Sequence, residues 1–531
     1  MRKLSCVPIL FFFLPAAFAQ KDNCAALSKL TLPNTTISRA QTQAAGSFNL
    51  PQAAGNQEGN PFRNTPAFCR VVLKLTPSAD SNIAVELWLP EQNWNHKFLG
   101  VGNGGFAGAI DYARLATEVQ QNYAAAATDT GHTGTFIDAD WAIGHPEKVA
   151  DFGYRAIHEM TVAAKAITRA YYAVPPTYAY FEACSDGGRE ALMEAQRFPT
   201  DYNGILAGAP ANNWTHLLTN GTRLNQGLLL QPGAYFSSAK LPAIQSAVLA
   251  ACGTQSGAND GFVNNPPACH FDPSVLLCKG DETNACLTLP QVTELNTLYS
   301  SMRSPSGSVL FPGFSPGGEV GNNGWGPWIL GDAPRQSLFY AFGTRYFADM
   351  VYNDPEWKLE RFKVDQALAD AVSRTAKSLD STDPDLRPFA HHGGKLILYH
   401  GWSDAAIPPT ATIDYYQSVR SAIGAKIEDS FVRLFMAPGM QHCGGGPGPN
   451  SFGQDGDVSS SDDAQHNIHL ALEAWVEKGI APQTIIATKY DGASHKPVIT
   501  RPLCPWPQIA TYKGTGDPND AASFACTAPT Q

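Results

Sequence analysis

Residues 177–195 read TYAYFEACSDGGREALMEA, and this stretch decides the fold. An apolar, aromatic run stops just before Ser185, and a run of strong helix formers begins a few residues after it. The pattern predicts a strand, a sharp turn that carries a serine, and a helix. Gly187 and Gly188 would relieve the crowding that side chains cause at such a corner. The alternative is an ordinary buried strand, turn and helix with a capping serine.

A serine at this corner has the position of a catalytic nucleophile. Attack by Ser185 on a carbonyl carbon would create an oxyanion, and the backbone N–H of Asp186 and the dipole of the following helix would stabilise it. The stretch departs from the G-x-S-x-G pattern, because Ala183 replaces the first glycine.

A second glycine-rich turn follows another predicted strand. Residues 97–101 run directly into the sequence GNGGF. Such a turn leaves backbone N–H groups free to face a ligand, so we expect Gly105, or its neighbour Gly104, to be the second oxyanion donor. A plain glycine-rich turn is the alternative. A dinucleotide fingerprint is disfavoured, since no acidic residue stands about twenty positions further on at a strand end.

Two later strands end in residues that complete a catalytic set. KLILYH precedes Asp404, and FVRLFMA precedes His442. Ser185, Asp404 and His442 follow the chain order of the α/β-hydrolase triad. In that chemistry the imidazole takes the proton of the serine, and the carboxylate orients the imidazole and stabilises its charge. We expect His400, at a strand end before Asp404, to be a supporting or core residue.

The remaining sequence predicts an α/β fold with a large inserted lid. Strands that alternate with helices indicate a mainly parallel sheet with helices on both faces. The alternation stops over residues 212–392, which are rich in proline, glycine and aromatic residues and are expected to form a lid over the site; a second domain without a role in the site is the alternative. Residues 20–211 and 393–531 would then be the two parts of the hydrolase core. Within them, we expect residues 24–66 to be an irregular arm and residues 502–531 a coil-like tail.

The N-terminus points to a secreted protein, and the charge balance restricts its partners. Arg2 and Lys3 precede an apolar run that ends in a small-x-small cleavage site, so residues 1–19 are predicted to be a signal peptide, too short for a membrane span. A formal net charge of −10 disfavours nucleic acid and anionic membranes as partners. If the host is eukaryotic, the N-glycosylation acceptors are Asn34, Asn213 and Asn220.

The cysteines agree with an extracellular compartment. Of eleven, Cys6 leaves with the signal peptide, and an even number remains. Cys184 and Cys443 are left over once the others pair locally, and a bridge between them would hold the proposed serine beside the proposed imidazole. Closing so long a loop stabilises a fold by on the order of 5 kcal/mol in the chain-entropy model. The simplest local pairs, which the sequence alone does not prove, are Cys24 with Cys69, Cys252 with Cys269, Cys278 with Cys286, and Cys504 with Cys526.

Several of these motifs together resemble the tannase and feruloyl esterase family of α/β-hydrolases, and most of all a fungal-type feruloyl esterase. The motifs are Cys-Ser with Gly-Gly-Arg at residues 184–189, KLILYHGWSD ending at Asp404, PGMQHC ending at Cys443, and RPLCPWPQIATYKGTGD from Arg501. The resemblance implies a secreted carboxylesterase with five disulfides and an aromatic lid pocket, for which Trp328 and Ile407 are candidate walls. Its implied catalytic roles are Ser185 as nucleophile, His442 as base, Asp404 as the residue that orients it, and Asp186 with Gly105 as oxyanion donors.

The resemblance also carries expectations about substrate and cofactor. Members cleave phenolic esters, so the expected substrates are feruloyl or related hydroxycinnamoyl esters of plant cell-wall polysaccharide. Galloyl esters are the alternative substrates. A non-catalytic, hydrolase-like binding protein is the competing class. No cofactor is expected to be required. The family often has a calcium loop in its lid, but here Gly253 and Ser256 occupy two of the aspartate positions, and only Asp260 would offer a carboxylate; the sequence predicts no tight calcium site.

Overall fold

The computed structural model describes residues 23–51, 61–457 and 459–528, so the predicted signal peptide lies outside the described residues. The strands are β1 Thr35–Gln43, β2 Phe68–Leu75, β3 Ile83–Pro90, β4 Lys97–Val101, β5 Ala124–Thr128, β6 Tyr178–Cys184, β7 Gly204–Gly208, β8 Met302–Arg303, β9 Val309–Phe311, β10 Lys395–Gly401, β11 Val432–Ala437, β12 Ile485–Tyr490, β13 Pro497–Leu503, β14 Ile509–Tyr512 and β15 Phe524–Thr527. The α-helices are α1 Asn23–Ala26, α2 Tyr112–Gln120, α3 Pro146–Ala150, α4 Ala156–Tyr172, α5 Asp186–Arg197, α6 Trp214–Leu230, α7 Leu241–Cys252, α8 Leu289–Tyr299, α9 Leu338–Arg345, α10 Val364–Ala371, α11 Lys377–Leu379, α12 Arg387–His391, α13 Pro409–Ile423, α14 Ala425–Glu428 and α15 Ile468–Lys478.

Nine of these strands form one mixed sheet. Their order is β1-β2-β3-β5-β4-β6-β7-β10-β11. From β5 to β11 the neighbouring strands run parallel. At the other end, β1, β2 and β3 pair antiparallel, and β3 pairs antiparallel with β5. The predicted parallel sheet is therefore found where crossover helices join the strands, whereas the short connection between β2 and β3 makes a hairpin.

Helices cover both faces of the sheet, as the alternation predicts. On one face, Met160 of α4, Leu192 of α5 and Val419 of α13 pack into a common core. On the other, Leu115 of α2 and Leu472 of α15 do the same. Strands buried on both faces consist of nearly continuous apolar residues. Within residues 23–51, 61–457 and 459–528, none of the helices has both the length and the apolar character that a bilayer span requires.

Two segments predicted to be irregular contain strands. β1 lies within the expected arm and pairs antiparallel with β2 at the edge of the sheet. Its side chains are mostly half-buried or exposed, so it lacks the apolar alternation of a core strand. In the expected coil-like tail, β14 pairs with β15. In both segments the pairing partner, and not the local sequence, decides the conformation.

Residues 212–392 contribute no described strand to the large sheet. β8 and β9 pair only with each other, and the rest of this stretch is built from α6 to α12, short 3-10 and π-helical turns, and irregular segments. Its apolar side chains share a core with Phe106, which follows β4, and with Ile407, which follows β10. This part of the chain therefore packs on the carboxyl edge of the parallel strands.

Candidate active site

Ser185 lies at a sharp corner between β6 and α5. Its backbone has φ 67° and ψ −122°, a conformation that side-chain-bearing residues rarely adopt and that is found mainly at functional sites. A Cβ at Gly187 would lie 2.3 Å from the Cβ of Ala183, and a Cβ at Gly188 would lie 2.4 Å from the carbonyl oxygen of Gly208. Both glycines are therefore needed for α5 to approach the sheet, as the sequence predicts.

Ser185, His442 and Asp404 form a continuous chain of hydrogen bonds. The Oγ of Ser185 lies 2.9 Å from Nε2 of His442, and Nδ1 of His442 lies 2.8 Å from Oδ2 of Asp404. Because an ionised carboxylate can only accept, Nδ1 carries the proton, and Nε2 is left to accept the serine proton. Asp404 follows β10 and His442 follows β11, which are neighbouring parallel strands.

Asp404 is fully buried and accepts several hydrogen bonds. Its Oδ1 accepts from the amides of Ala406 and Ile407 at 2.7 and 2.9 Å, and its Oδ2 also accepts from Nε2 of His400 at 3.0 Å. Burial alone would raise the pKa of Asp404, but attraction to His442 and hydrogen bonds from both histidines outweigh it and hold this pKa well below its ordinary value. Asp404 is therefore ionised near neutral pH, and His400 supports it from inside the core.

The disulfide between Cys184 and Cys443 joins the serine corner to the imidazole loop. Its Cα atoms are 5.9 Å apart across a sequence separation of 259 residues. Each cysteine is the direct neighbour of a residue in the hydrogen-bond chain, so the bond holds those residues together. The structure also contains the four expected local pairs, Cys24–Cys69, Cys252–Cys269, Cys278–Cys286 and Cys504–Cys526.

Gly105 and Asp186 line the same cavity as the serine. The amide of Asp186 is the first of α5, so it has no acceptor within the helix. Gly105 has φ 60°, and a Cβ there would lie 2.3 Å from the carbonyl oxygen of Phe136, so only glycine fits. The glycine-rich turn that contains Gly105 is anchored by the amide of Asn103, which donates to Oε2 of Glu190 at 2.9 Å. Close packing thus positions both amides, and their role as oxyanion donors stays a prediction.

An apolar cavity adjoins Ser185, and most of its walls are residues that sequence reasoning missed. Asp186 is the one charged residue among those that line it. Trp214, Leu217 and Leu218 follow the i, i+3, i+4 spacing of one helix face, which the sequence shows. The sequence does not show which other element that face packs against. The missed walls are Trp214, Leu217 and Leu218 of α6, Phe339 and Phe342 of α9, and the small residues Ala211 and Ala406.

The two predicted walls, Trp328 and Ile407, also line the cavity. Trp328 lies in a π-helical turn, Gly326–Leu330, and its ring meets the ring of His442 edge-on with centroids 5.1 Å apart. Its indole Nε1 donates to Oδ1 of Asn323 at 2.7 Å. π-Helical turns occur frequently at functional sites. Residues 212–392 therefore supply a cavity wall that contacts the imidazole itself.

The lid loop closed by Cys252 and Cys269 does not fit a calcium ion. Oδ1 of Asp260 accepts from the guanidinium of Arg501 at 2.7 Å, and Oδ2 accepts from Ser256 at 2.5 Å and from Asn264 at 2.7 Å. The one carboxylate is already occupied by donors, one of them a cation, where Ca²⁺ would need further anionic oxygens. Independence from calcium stays a prediction.

The three glycosylation candidates differ in accessibility. Asn34 is exposed, and Asn213 is half-buried directly before α6. Asn220 lies inside α6 with 1% of its surface exposed, and its Oδ1 accepts from Arg223 at 2.9 Å. A glycan has no room at such a position, so the prediction for Asn220 is wrong; the predictions for Asn34 and Asn213 stand untested.

The mixed sheet with helices on both faces and the serine at a strand-to-helix corner define an α/β-hydrolase. Residues 69–527 match the family model described as tannase and feruloyl esterase, and the chain belongs to this family. The resemblance seen in the sequence motifs is thereby confirmed.

Individual relatives agree with this assignment. The chain is 40% identical to an uncharacterized esterase of Xanthomonas campestris pv. campestris, over 95% of this chain and 91% of that protein. It is 32% identical to a probable feruloyl esterase B-2 of Aspergillus terreus, over 96% and 97% of the two chains. The crystal structure of feruloyl esterase B from Aspergillus oryzae matches with a TM-score of 0.87 and 30% identity, over 95% and 99% of the two chains. The protein is accordingly a carboxylic ester hydrolase.

Proposed function

We propose that this protein is a secreted serine carboxylesterase that hydrolyses feruloyl and related hydroxycinnamoyl esters of plant cell-wall polysaccharide. The observation that carries the proposal is the hydrogen-bond chain Ser185–His442–Asp404 beside an aromatic-lined cavity. The names of the Aspergillus relatives favour the feruloyl group, and five disulfides favour an oxidising, extracellular compartment.

Acylation begins at the Oγ of Ser185. As the serine oxygen attacks the ester carbonyl carbon, its proton passes to Nε2 of His442. The π electrons of the carbonyl bond move onto the carbonyl oxygen, which becomes an oxyanion. The amides of Asp186 and Gly105 would stabilise this oxyanion. When the tetrahedral intermediate collapses, the bond to the alcohol oxygen breaks, and His442 returns the proton to that oxygen. The alcohol leaves, and the acid stays bound to the serine as an ester.

Deacylation repeats these steps with water. His442 takes a proton from a water molecule, and the hydroxide attacks the acyl carbon. Collapse breaks the bond to Ser185, whose oxygen regains the proton from His442, and the free acid leaves. Throughout, the ionised Asp404 keeps the proton of His442 on Nδ1 and stabilises the imidazolium while it exists.

The cavity walls favour an aromatic acid with few polar substituents. The rings of Trp214, Trp328, Phe339 and Phe342 offer contact to a planar aryl group. Each phenolic hydroxyl buried there without a partner would cost about 1–3 kcal/mol. A galloyl ring has three hydroxyls, whereas a feruloyl ring has one hydroxyl and one methoxy group. We therefore expect hydroxycinnamoyl esters to be better substrates than galloyl esters.

The test compares methyl ferulate with methyl gallate and labels the enzyme with a fluorophosphonate. The wild type is expected to turn over methyl ferulate faster and to be labelled. Ser185→Ala is expected to lose labelling and at least about a thousandfold in kcat while it melts at the wild-type temperature. The matched control Ser418→Ala, on α13 and outside the cavity lining, is expected to behave like the wild type.

Three outcomes would contradict the proposal in different ways. Faster turnover of methyl gallate would replace the feruloyl assignment by tannase activity. Labelling or turnover that survives in Ser185→Ala would remove the nucleophile. A wild type that is neither labelled nor active would indicate the non-catalytic binding protein instead.

A further inference from the structure

Phe136 is unusual in its exposure. In the part of the chain that the structure describes, it is the one phenylalanine, tyrosine or tryptophan that keeps about half of its surface, 51%, in solvent. Exposed aromatic surface loses the free energy that burial would contribute, about 25 cal/mol for each Å². Single exposed apolar side chains are common on protein surfaces, so it is the place of this ring beside the cavity, and not its exposure alone, that points to a ligand.

The ring stands at the rim of the catalytic cavity. Its centroid lies 6.1 Å from that of Phe342, which lines the cavity. A Cβ on Gly105, another lining residue, would lie 3.0 Å from the Cβ of Phe136. Phe136 itself does not line the cavity. Phe136 therefore lies next to the place where the ester bond would bind, on the side that faces the solvent.

The backbone holds this ring in place. The carbonyl oxygen of Phe136 accepts from the amide of Phe106 at 2.8 Å. One residue earlier, the amide and the hydroxyl of Thr135 both donate to Oδ2 of Asp138, each at 2.8 Å. The turn is thus stabilised by its own hydrogen bonds, and the backbone from which the exposed ring projects has a defined position.

The chemistry of the ester indicates what this ring meets, and this step rests on the proposed function. With the acid inside the apolar cavity, the alcohol part must extend outward across the rim. In a polysaccharide ester that part is a sugar, whose C–H face is apolar and whose hydroxyls are polar. A flat aromatic ring can stack on the apolar C–H face of the sugar. The exposed side chains of Thr133 and Thr135 beside it can hydrogen-bond with the sugar hydroxyls. We propose that Phe136 forms a rim subsite that stacks on the sugar ring of the alcohol moiety.

The test uses two substrates that share the acid and differ in the alcohol: methyl ferulate and a feruloyl ester of an arabinose oligosaccharide. Phe136→Ala is expected to reduce kcat/KM for the sugar ester about fivefold to tenfold, mainly through KM, because one stacking contact is lost. The same variant is expected to leave methyl ferulate unchanged. Phe136→Trp keeps an aromatic face and is expected to retain the activity on the sugar ester. Val174→Ala, an exposed apolar residue outside the cavity lining, serves as the matched control.

Other outcomes would overturn the subsite. An equal loss on both esters would mean that Phe136 acts through the Gly105 loop, and no loss on either would mean that it contacts no sugar. Titration of the feruloyl oligosaccharide into Ser185→Ala, with and without Phe136→Ala, separates this inference from the proposed function. Weaker binding in the double variant supports the subsite even if turnover is absent, and equal binding rejects it.

Discussion

The side-chain Nδ2 of Asn323 donates to the main-chain oxygen of His442 at 2.8 Å. The Oδ1 of the same side chain accepts from the indole of Trp328 at 2.7 Å. One residue of the lid thus holds both a cavity wall and the loop that carries the imidazole. The position of His442 therefore depends on a residue of the 212–392 segment as well as on the disulfide next to it.

Replacing Asn323 by alanine should therefore impair catalysis more than folding. We expect kcat/KM for methyl ferulate to fall about tenfold, because losing these two hydrogen bonds leaves His442 and Trp328 less well positioned. Steady-state kinetics together with a melting curve measures both effects. Asn322→Ala, at the exposed neighbouring position, is the control and should match the wild type. Wild-type kinetics in Asn323→Ala would refute the coupling.

The Cys184–Cys443 disulfide should contribute more stability than a short lid disulfide. Its sequence separation is 259, against 8 for Cys278–Cys286. In the chain-entropy model, loops of these lengths correspond to about 5.5 and about 2.5 kcal/mol of unfolding free energy. Replacing each pair by alanines and measuring denaturant unfolding compares them, and only the first replacement should also lower kcat. Equal losses of stability and activity in the two variants would contradict this expectation.

Glu294 on α8 should make the lid less stable at high pH. Burial raises the pKa of Glu294 to about 7, and the nearby Arg223 offsets this only in part. A carboxyl group whose folded pKa exceeds its unfolded value of about 4.3 destabilises the fold increasingly as pH rises between these two values. Glu294→Gln should accordingly melt at a higher temperature than the wild type near pH 8, and at a similar temperature near pH 4.

Differential scanning calorimetry at both pH values tests this. The exposed Glu356 provides the control, since Glu356→Gln removes the same charge from a solvated site. A difference between Glu294→Gln and the wild type that is the same at both pH values would exclude a titration effect.

Chelation should leave the melting temperature unchanged, because the carboxylate of Asp260 already accepts hydrogen bonds from Arg501, Ser256 and Asn264. Arg501→Met, by contrast, should cost about 3–5 kcal/mol, since it leaves a buried carboxylate without its partner. Thermal melts with EDTA and with added calcium give the first result, and denaturant unfolding of the variant gives the second. A melting temperature that falls with EDTA and recovers with calcium would show that a cation site exists.

Local sequence was sufficient to predict the serine corner and the residues that lie next to it. Gly187 and Gly188 indicate the turn, because no side chain fits at either position. Ser185, Asp404 and His442 each come shortly after a predicted strand, and their order along the chain is that of the α/β-hydrolase triad. The even number of cysteines that remains after the predicted signal peptide was sufficient to expect that they pair. Each of these features depends on residues close together in sequence or on counting alone.

Tertiary structure decided the rest. β1 is a strand because the free edge of β2 accepts it, and Asn220 is buried because its helix turns that face into the lid. The walls from α6 and α9 meet beside the serine only after the insertion has packed on the carboxyl edge of the sheet. Hydrophobic periodicity shows that a helix has an apolar face, but not which other element that face will cover, because that choice depends on contacts between residues far apart in sequence.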